Sequence, residues 1–194
     1  MLSDLITSKS RVKLLNVFLS NPYEMFHVRE CVRRTKDEIN AVRRELQFLH
    51  KKGILSREQR ANRVYYELDK NYSFYFDLLA IGAKTIGLGH DIMKNSTKLG
   101  RIKYAMFSSQ FVRRKKRNPD DIDIMIVGAG DIVLPELSIL IRKEEARLGT
   151  EVNYTAMSEE EFKFRKKRND PFIDGILMGG RVMLLGDEEA MLSA

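Results

Sequence analysis

Apolar residues recur at spacings of three and four through much of the first half of this chain, the period of a helix with one buried face. Val12, Leu15, Phe18 and Leu19 form one such face in a helix that Ser10 can cap, and Asn21-Pro22 stops it. Met25–His27 reads as a short strand. Val28, Cys31 and Val32 mark a short second helix. A third helix is predicted from Thr35, with Asp37 and Glu38 near its positive end, an apolar stripe of Ile39, Val42, Leu46 and Leu49, and Gly53 as its terminator. The period then changes to two. Ile54–Glu58 and Val64–Leu68 predict two strands, with Val64, Tyr66 and Leu68 on one side and Arg60-Ala-Asn-Arg63 at the tip between them.

The second half alternates strand and helix. Strands are expected at Arg101–Phe107, at Asp121–Val127 with Ile122, Ile124 and Ile126 on one face, at Glu151–Ala156 and at Arg181–Leu185. Ile132–Leu148 predicts a helix with Leu134, Leu137 and Ile141 inward, and Ser158-Glu-Glu-Glu161 is a capping box opening another. Gly82, Gly87, Gly89 and Gly100 interrupt the pattern between the halves. They suggest a layout of residues 1–86, a helical connector 87–100, and residues 101–194. The fold class expected is α+β.

Of the 194 residues 43% are hydrophobic and 31% charged, which suits a globular chain with a core. No apolar run reaches the ~18 residues of a membrane span, so no membrane association is expected. The start has no signal-peptide pattern, and the single cysteine, Cys31, fits a reducing, cytoplasmic setting. The net charge of +7 is unevenly spread. Residues 1–86 carry 16 Lys and Arg against 10 Asp and Glu, whereas residues 87–194 carry 18 against 17. A polyanionic partner for the first half would account for that excess.

With the third helix turned so that its stripe faces the core, Lys36, Asn40, Arg43, Arg44 and Gln47 share the opposite face. Arg pairs bidentately with guanine, Asn and Gln pair with adenine, and Lys and Arg neutralise phosphates. Arg29, Arg33 and Arg34 on the second helix suit the backbone, and Arg57, Arg60 and Arg63 make the hairpin a basic wing. The expected partner is double-stranded DNA, read by a homodimer where the operator has two half-sites. His27, His50 and His90 are scattered and are assigned structural or surface roles, and Cys31 is assigned to the core.

From about Leu2 to Gly87 the chain resembles the winged helix-turn-helix domains of prokaryotic transcriptional regulators of the ArsR-like type. The resemblance lies in Thr7-Ser-Lys-Ser-Arg11, in Glu45-Leu-Gln-Phe-Leu-His-Lys-Lys-Gly53-Ile-Leu and in Val64-Tyr-Tyr-Glu-Leu68. It implies a DNA-binding transcription regulator.

In the second half, Asp121 and Asp123 flank Ile122 on a predicted strand, about 6.5–7 Å apart on one face, a spacing that can share Mg²⁺ and nucleotide phosphates. A strand ending Phe107-Ser-Ser109 precedes them. From about Ile102 to Glu188 the chain resembles the polymerase-beta-type nucleotidyltransferase superfamily, in the form that regulators join to a winged helix. The resemblance implies an NTP site at Ser108, Ser109 and Arg113, with Asp121 and Asp123 as catalytic or metal residues. The sequence departs from that pattern at three places. Ser108 replaces the glycine of Gly-Ser, Asn153 stands at the third carboxylate position, and Arg113-Arg-Lys-Lys-Arg117 replaces Arg-Gly. Asn is no general base, although Glu151 shares its strand parity. The missing parts weigh toward an inactive domain. Open readings are an Mg²⁺-dependent transfer of NMP to a protein, RNA or small molecule, a nucleotide- or metal-binding sensor without turnover, a scaffold for dimerisation or DNA contact, and an antitoxin-like partner-binding module.

Overall fold

A computed structural model describes residues 4, 6–114, 118 and 120–193. The chain is a mixed α+β structure with two sheets, divided into two compact units, Met1–Thr85 and Ile86–Ala194.

In the first unit, helix α1 spans Lys9–Ser20 and buries Leu14, Leu15, Phe18 and Leu19. Its cap is Ser8 rather than Ser10, because the Ser8 hydroxyl is the one that accepts the Arg11 amide. Strand β1 is Phe26–His27, and helix α2 is Val28–Thr35. Thr35, expected to open the third helix, instead ends the second, with its buried hydroxyl donating to the Cys31 carbonyl at 2.9 Å. Lys36 follows in the left-handed region at φ 57° and turns the chain. Helix α3 therefore begins later, at Ile39, and runs to Lys51. The Glu38 carboxylate caps it by accepting the Asn40 and Ala41 amides at 2.9 and 3.0 Å.

Val42, Leu46 and Leu49 of α3 are fully buried, a stripe that contributes roughly 1.5–3 kcal/mol per side chain. The helix stops at Gly53, whose φ of 74° lets its amide reach the His50 carbonyl while the Ile54 amide reaches Leu49. Strands β2 (Leu55–Arg60) and β3 (Arg63–Leu68) pair from Leu55↔Leu68 to Arg60↔Arg63 around a two-residue turn, Ala61-Asn62. Both strands are longer than expected, so Arg60 and Arg63 sit in the ladder rather than in the tip. Strand β1 pairs on the other side of β3, giving the order β1-β3-β2. Helix α4, Tyr75–Thr85, lies on α1, close enough that a Cβ on Gly82 would stand 3.0 Å from that of Leu19.

The second unit opens with helix α5, Gly87–Lys94. Strand β4 (Gly100–Ser108), short helix α6 (Ser109–Val112), strand β5 (Ile124–Ile132), helix α7 (Leu134–Leu148) and strand β6 (Tyr154–Ser158) follow. Helices α8 (Glu159–Lys167) and α9 (Pro171–Met178), strand β7 (Arg181–Leu185) and helix α10 (Glu188–Ser193) complete it. The sheet order is β6-β5-β4-β7, with β5 and β6 parallel and the other neighbours antiparallel. Tyr104, Met106, Met125 and Val127 project to one side, into a core with Met157, Phe162, Ile173 and Met191. The alternate residues Ala105, Phe107, Ile124 and Ile126 are buried too, as strands at the centre of a sheet require.

Two strands start later than the pattern predicts. Strand β5 begins at Ile124 and β6 at Tyr154, because Asp123 and Asn153 bond to one another and close that end of the sheet. Ile122 lies outside the strand, half-buried. Ile132 ends β5 instead of starting α7, whose Leu137 and Ile141 are buried while Leu134 is exposed. Among the described residues no helix is long and apolar enough to cross a membrane.

Candidate nucleic-acid interface

Helix α3 presents Asn40, Arg43, Arg44 and Gln47 on its exposed side, opposite Val42, Leu46 and Leu49. Lys36 is exposed as well, but in the turn before the helix and not on it. The helix is held from behind. Glu45 accepts the Ser8 hydroxyl at 2.6 Å through one oxygen and Arg11 Nε at 2.8 Å through the other. The Arg11 guanidinium also lies 3.7 Å over the Phe48 ring. Lys13 pairs with Asp37 in the turn and holds its carboxyl below the usual carboxylate range. Amide bonds at the start of α3 lower the Glu38 carboxyl likewise.

The β2–β3 hairpin exposes Arg57, Arg60 and Arg63. Arg60 is held by both oxygens of Glu58 at 2.8 and 2.9 Å, whereas Arg57 and Arg63 have no ion pair among the described residues. A hollow of 490 Å³ lies between the start of α2, the middle of α3 and the tip of the hairpin. His27, Arg29, Arg43, Asn62 and Arg63 line it with Val28 and Val64. The structure therefore brings two of the eight expected residues, Arg43 and Arg63, to one concavity, and the other six are exposed outside its lining. Arg33 and Arg34 of α2 are both paired with Glu30, whose carboxyl is lowered chiefly by Arg34.

Sequence reasoning missed His27 and Asn62. His27 caps α2, its Nδ1 accepting the Glu30 amide at 3.1 Å, and its ring packs edge-on against Tyr65. The signal was its place just before the helical repeat, where a side-chain acceptor is needed. His50 Nδ1 lies 3.0 Å from the Leu55 carbonyl, and His90 is half-buried. Cys31 is fully buried, and that burial pushes its thiol up to about 12.

The second unit has its own cleft, 270 Å³ in volume, lined by Ser108, Ser109, Asp121, Phe172, Gly175 and Gly180 among others. The Ser108 hydroxyl caps α6 by accepting the Phe111 amide, and the Ser109 amide donates to the Gly180 carbonyl at 2.7 Å. Asp123 is not in the cleft wall. It is 1% exposed, and its Oδ2 accepts the Asn153 amide at 2.8 Å. The Asn153 side chain in turn donates to the Asp121 carbonyl at 3.0 Å, while Asp121 Oδ2 accepts the Asn118 amide. Arg113 ends α6 without lining the cleft, and Lys115, Lys116 and Arg117 of the basic loop lie outside the described residues. Glu151 is exposed ahead of β6.

Among the described residues no three His, Cys, Asp or Glu side chains converge as a metal site. Asp123 is buried on the Asn153 amide, and Asn153 offers an amide where the resemblance implies a third carboxylate.

No family model matches the chain, and no curated protein matches it. Among solved structures, reduced HlyU from Vibrio cholerae N16961 aligns with a TM-score of 0.34 at 20% identity, over 43% of this chain and 80% of that one. A likeness of that size carries no weight on fold or function.

Proposed function

We propose that this chain is a DNA-binding transcription regulator whose first unit is a winged helix-turn-helix. In this reading α3 enters the major groove, Asn40, Arg43, Arg44 and Gln47 meet base edges and nearby phosphates, and Lys36 approaches the backbone from the preceding turn. The hairpin is the wing, and Arg57, Arg60 and Arg63 lie along a neighbouring strand. The observation that carries the reading is the division of α3: Val42, Leu46 and Leu49 fully buried, Asn40, Arg43, Arg44 and Gln47 exposed. A two-half-site operator would then be bound by a homodimer.

Gel-shift titration of short duplexes tests this. The Arg43→Ala, Arg44→Ala double variant is expected to bind at least about tenfold more weakly, with a flatter salt dependence. Unaltered affinity in the double variant removes both residues from the interface.

For the second unit the cleft supports a ligand-binding reading over a catalytic one. It gathers Ser108 and Ser109, two of the three residues expected to meet a nucleotide, beside Asp121, whereas Asp123 is committed to the Asn153 amide. Calorimetric titration with ATP is expected to show binding that Gly175→Trp abolishes by filling the cleft. Absence of heat with the wild-type chain removes the nucleotide and leaves a partner-binding role.

A further inference from the structure

The arginines of the first unit fall into two groups. Arg11, Arg33, Arg34 and Arg60 are each matched to a carboxylate, on Glu45, Glu30 or Glu58. Arg29, Arg43, Arg44, Arg57 and Arg63 have no ion pair among the described residues, and three of these five, Arg29, Arg43 and Arg63, line the same hollow. Their like charges repel one another unless something anionic stands between them. Glu30, next to Arg29, has its carboxylate occupied by Arg33 and Arg34, and Glu38, whose charge acts on Arg43, acts on Arg44 as well and caps α3.

His27 adds a donor to this wall. Its Nδ1 accepts the Glu30 amide, which requires a lone pair there and so places the ring hydrogen of neutral histidine on Nε2. The cap thus orients the ring and leaves an uncharged N–H to offer. Asn62, at the turn of the hairpin, contributes an amide group. The three elements that meet here have no sequence continuity: the start of α2, the middle of α3 and the tip of the hairpin. A small oxyanion group, whose oxygens can each accept more than one hydrogen bond, satisfies all of them at once, and guanidinium forks match its geometry.

We propose that this hollow is a seat for a single phosphodiester of duplex DNA, shared by Arg29, Arg43 and Arg63, with His27 Nε2–H as a neutral donor to it. The assignment rests on the DNA-binding reading above and deepens it: the seat fixes the register of α3 and wing together on one strand. Arg43, rather than reading a base, anchors the backbone.

Sharing has a measurable consequence. The slope of log affinity against log salt counts neutralised phosphates, at about 0.9 per phosphate for B-form DNA. If three arginines share one phosphate, removing any one leaves it neutralised. Each of Arg29→Ala, Arg43→Ala and Arg63→Ala is then expected to weaken binding to a short mixed-sequence duplex while changing the slope little. The triple variant is expected to lose about 0.9 of slope in total. His27→Asn keeps a good helix cap but removes the ring donor, and is expected to bind about tenfold more weakly with unchanged thermal melting.

Single variants that each lose about 0.9, with the triple losing about 2.7, mean three independent phosphate contacts and overturn the seat while the DNA reading stands. Full-strength binding by His27→Asn overturns the histidine's part. Wild-type protein with no salt-dependent affinity for duplex overturns the DNA reading itself.

Discussion

Glu45→Ala separates the packing of α3 from its chemistry, because Glu45 faces away from the proposed interface and ties α3 to α1. Its side chain is 16% exposed and that of Arg11 26%, so the pair is only partly screened by water. The substitution removes two hydrogen bonds to a carboxylate, from a neutral hydroxyl at 2.6 Å and from a guanidinium at 2.8 Å. At about 1.5 kcal/mol each, the low end for bonds to a charged group because both side chains are partly exposed, they set an upper bound near 3. Arg11 keeps its place over Phe48 and reaches solvent, so the 3–5 kcal/mol penalty of a stranded buried charge does not apply. The expected loss is about 2 kcal/mol, or about 30-fold in the opening equilibrium of the first unit. Hydrogen exchange read by mass spectrometry over Val42–Leu49 checks it: protection in peptides from α3 should fall about 30-fold, and peptides from the second unit should not change. The double variant with Arg11→Ala should cost less than the sum of the two singles, since both break the same tie. A change of less than threefold in α3 protection refutes the tether.

Two further outcomes are expected. Cys31 holds its proton to about 12 in the fold and to about 9 in an unfolded chain, so the unfolded state releases it first as pH rises. Stability from this group is therefore complete below pH 9 and declines between pH 9 and 12, and thiol labelling near neutrality should follow unfolding, with fast labelling of native protein contradicting the burial. Leu46→Ala empties a fully buried site on α3 and should cost about 2–5 kcal/mol in denaturant titration, with duplex binding lost in parallel and recovered by Leu46→Met; retention of wild-type stability would place that residue outside the core.

Helical and strand periods were legible wherever one face of an element is buried and the other wet. The stripe of α3, the alternation of Val64, Tyr66 and Leu68, and the helix stop at Gly53 are local properties, written in residues three, four or two positions apart. Element edges were less legible where side chains compete with the backbone for hydrogen bonds. Thr35 looked like a helix start and proved a helix end, and Asp121 looked like a strand residue until Asp123 and Asn153 closed the sheet ahead of it. The same competition explains the second unit's cleft. Carboxylates two apart on a strand would point together, but these precede the strand, and Asp123 is committed to an amide thirty residues away.

By itself, then, the order of residues determined which faces are oily and which are basic, because that depends only on spacing along one element. Arg33, Arg34 and Arg60 meet acids two to four positions away, but the pairing of Arg11 with Glu45 and the gathering of Arg29, Arg43 and Arg63 around a common hollow were decided by tertiary structure. His27, Arg43 and Arg63 are far apart in sequence, and only the pairing of β1 and β2 with β3, together with the packing of α3 against α1 and α2, brings their charges and donors within reach of one ligand.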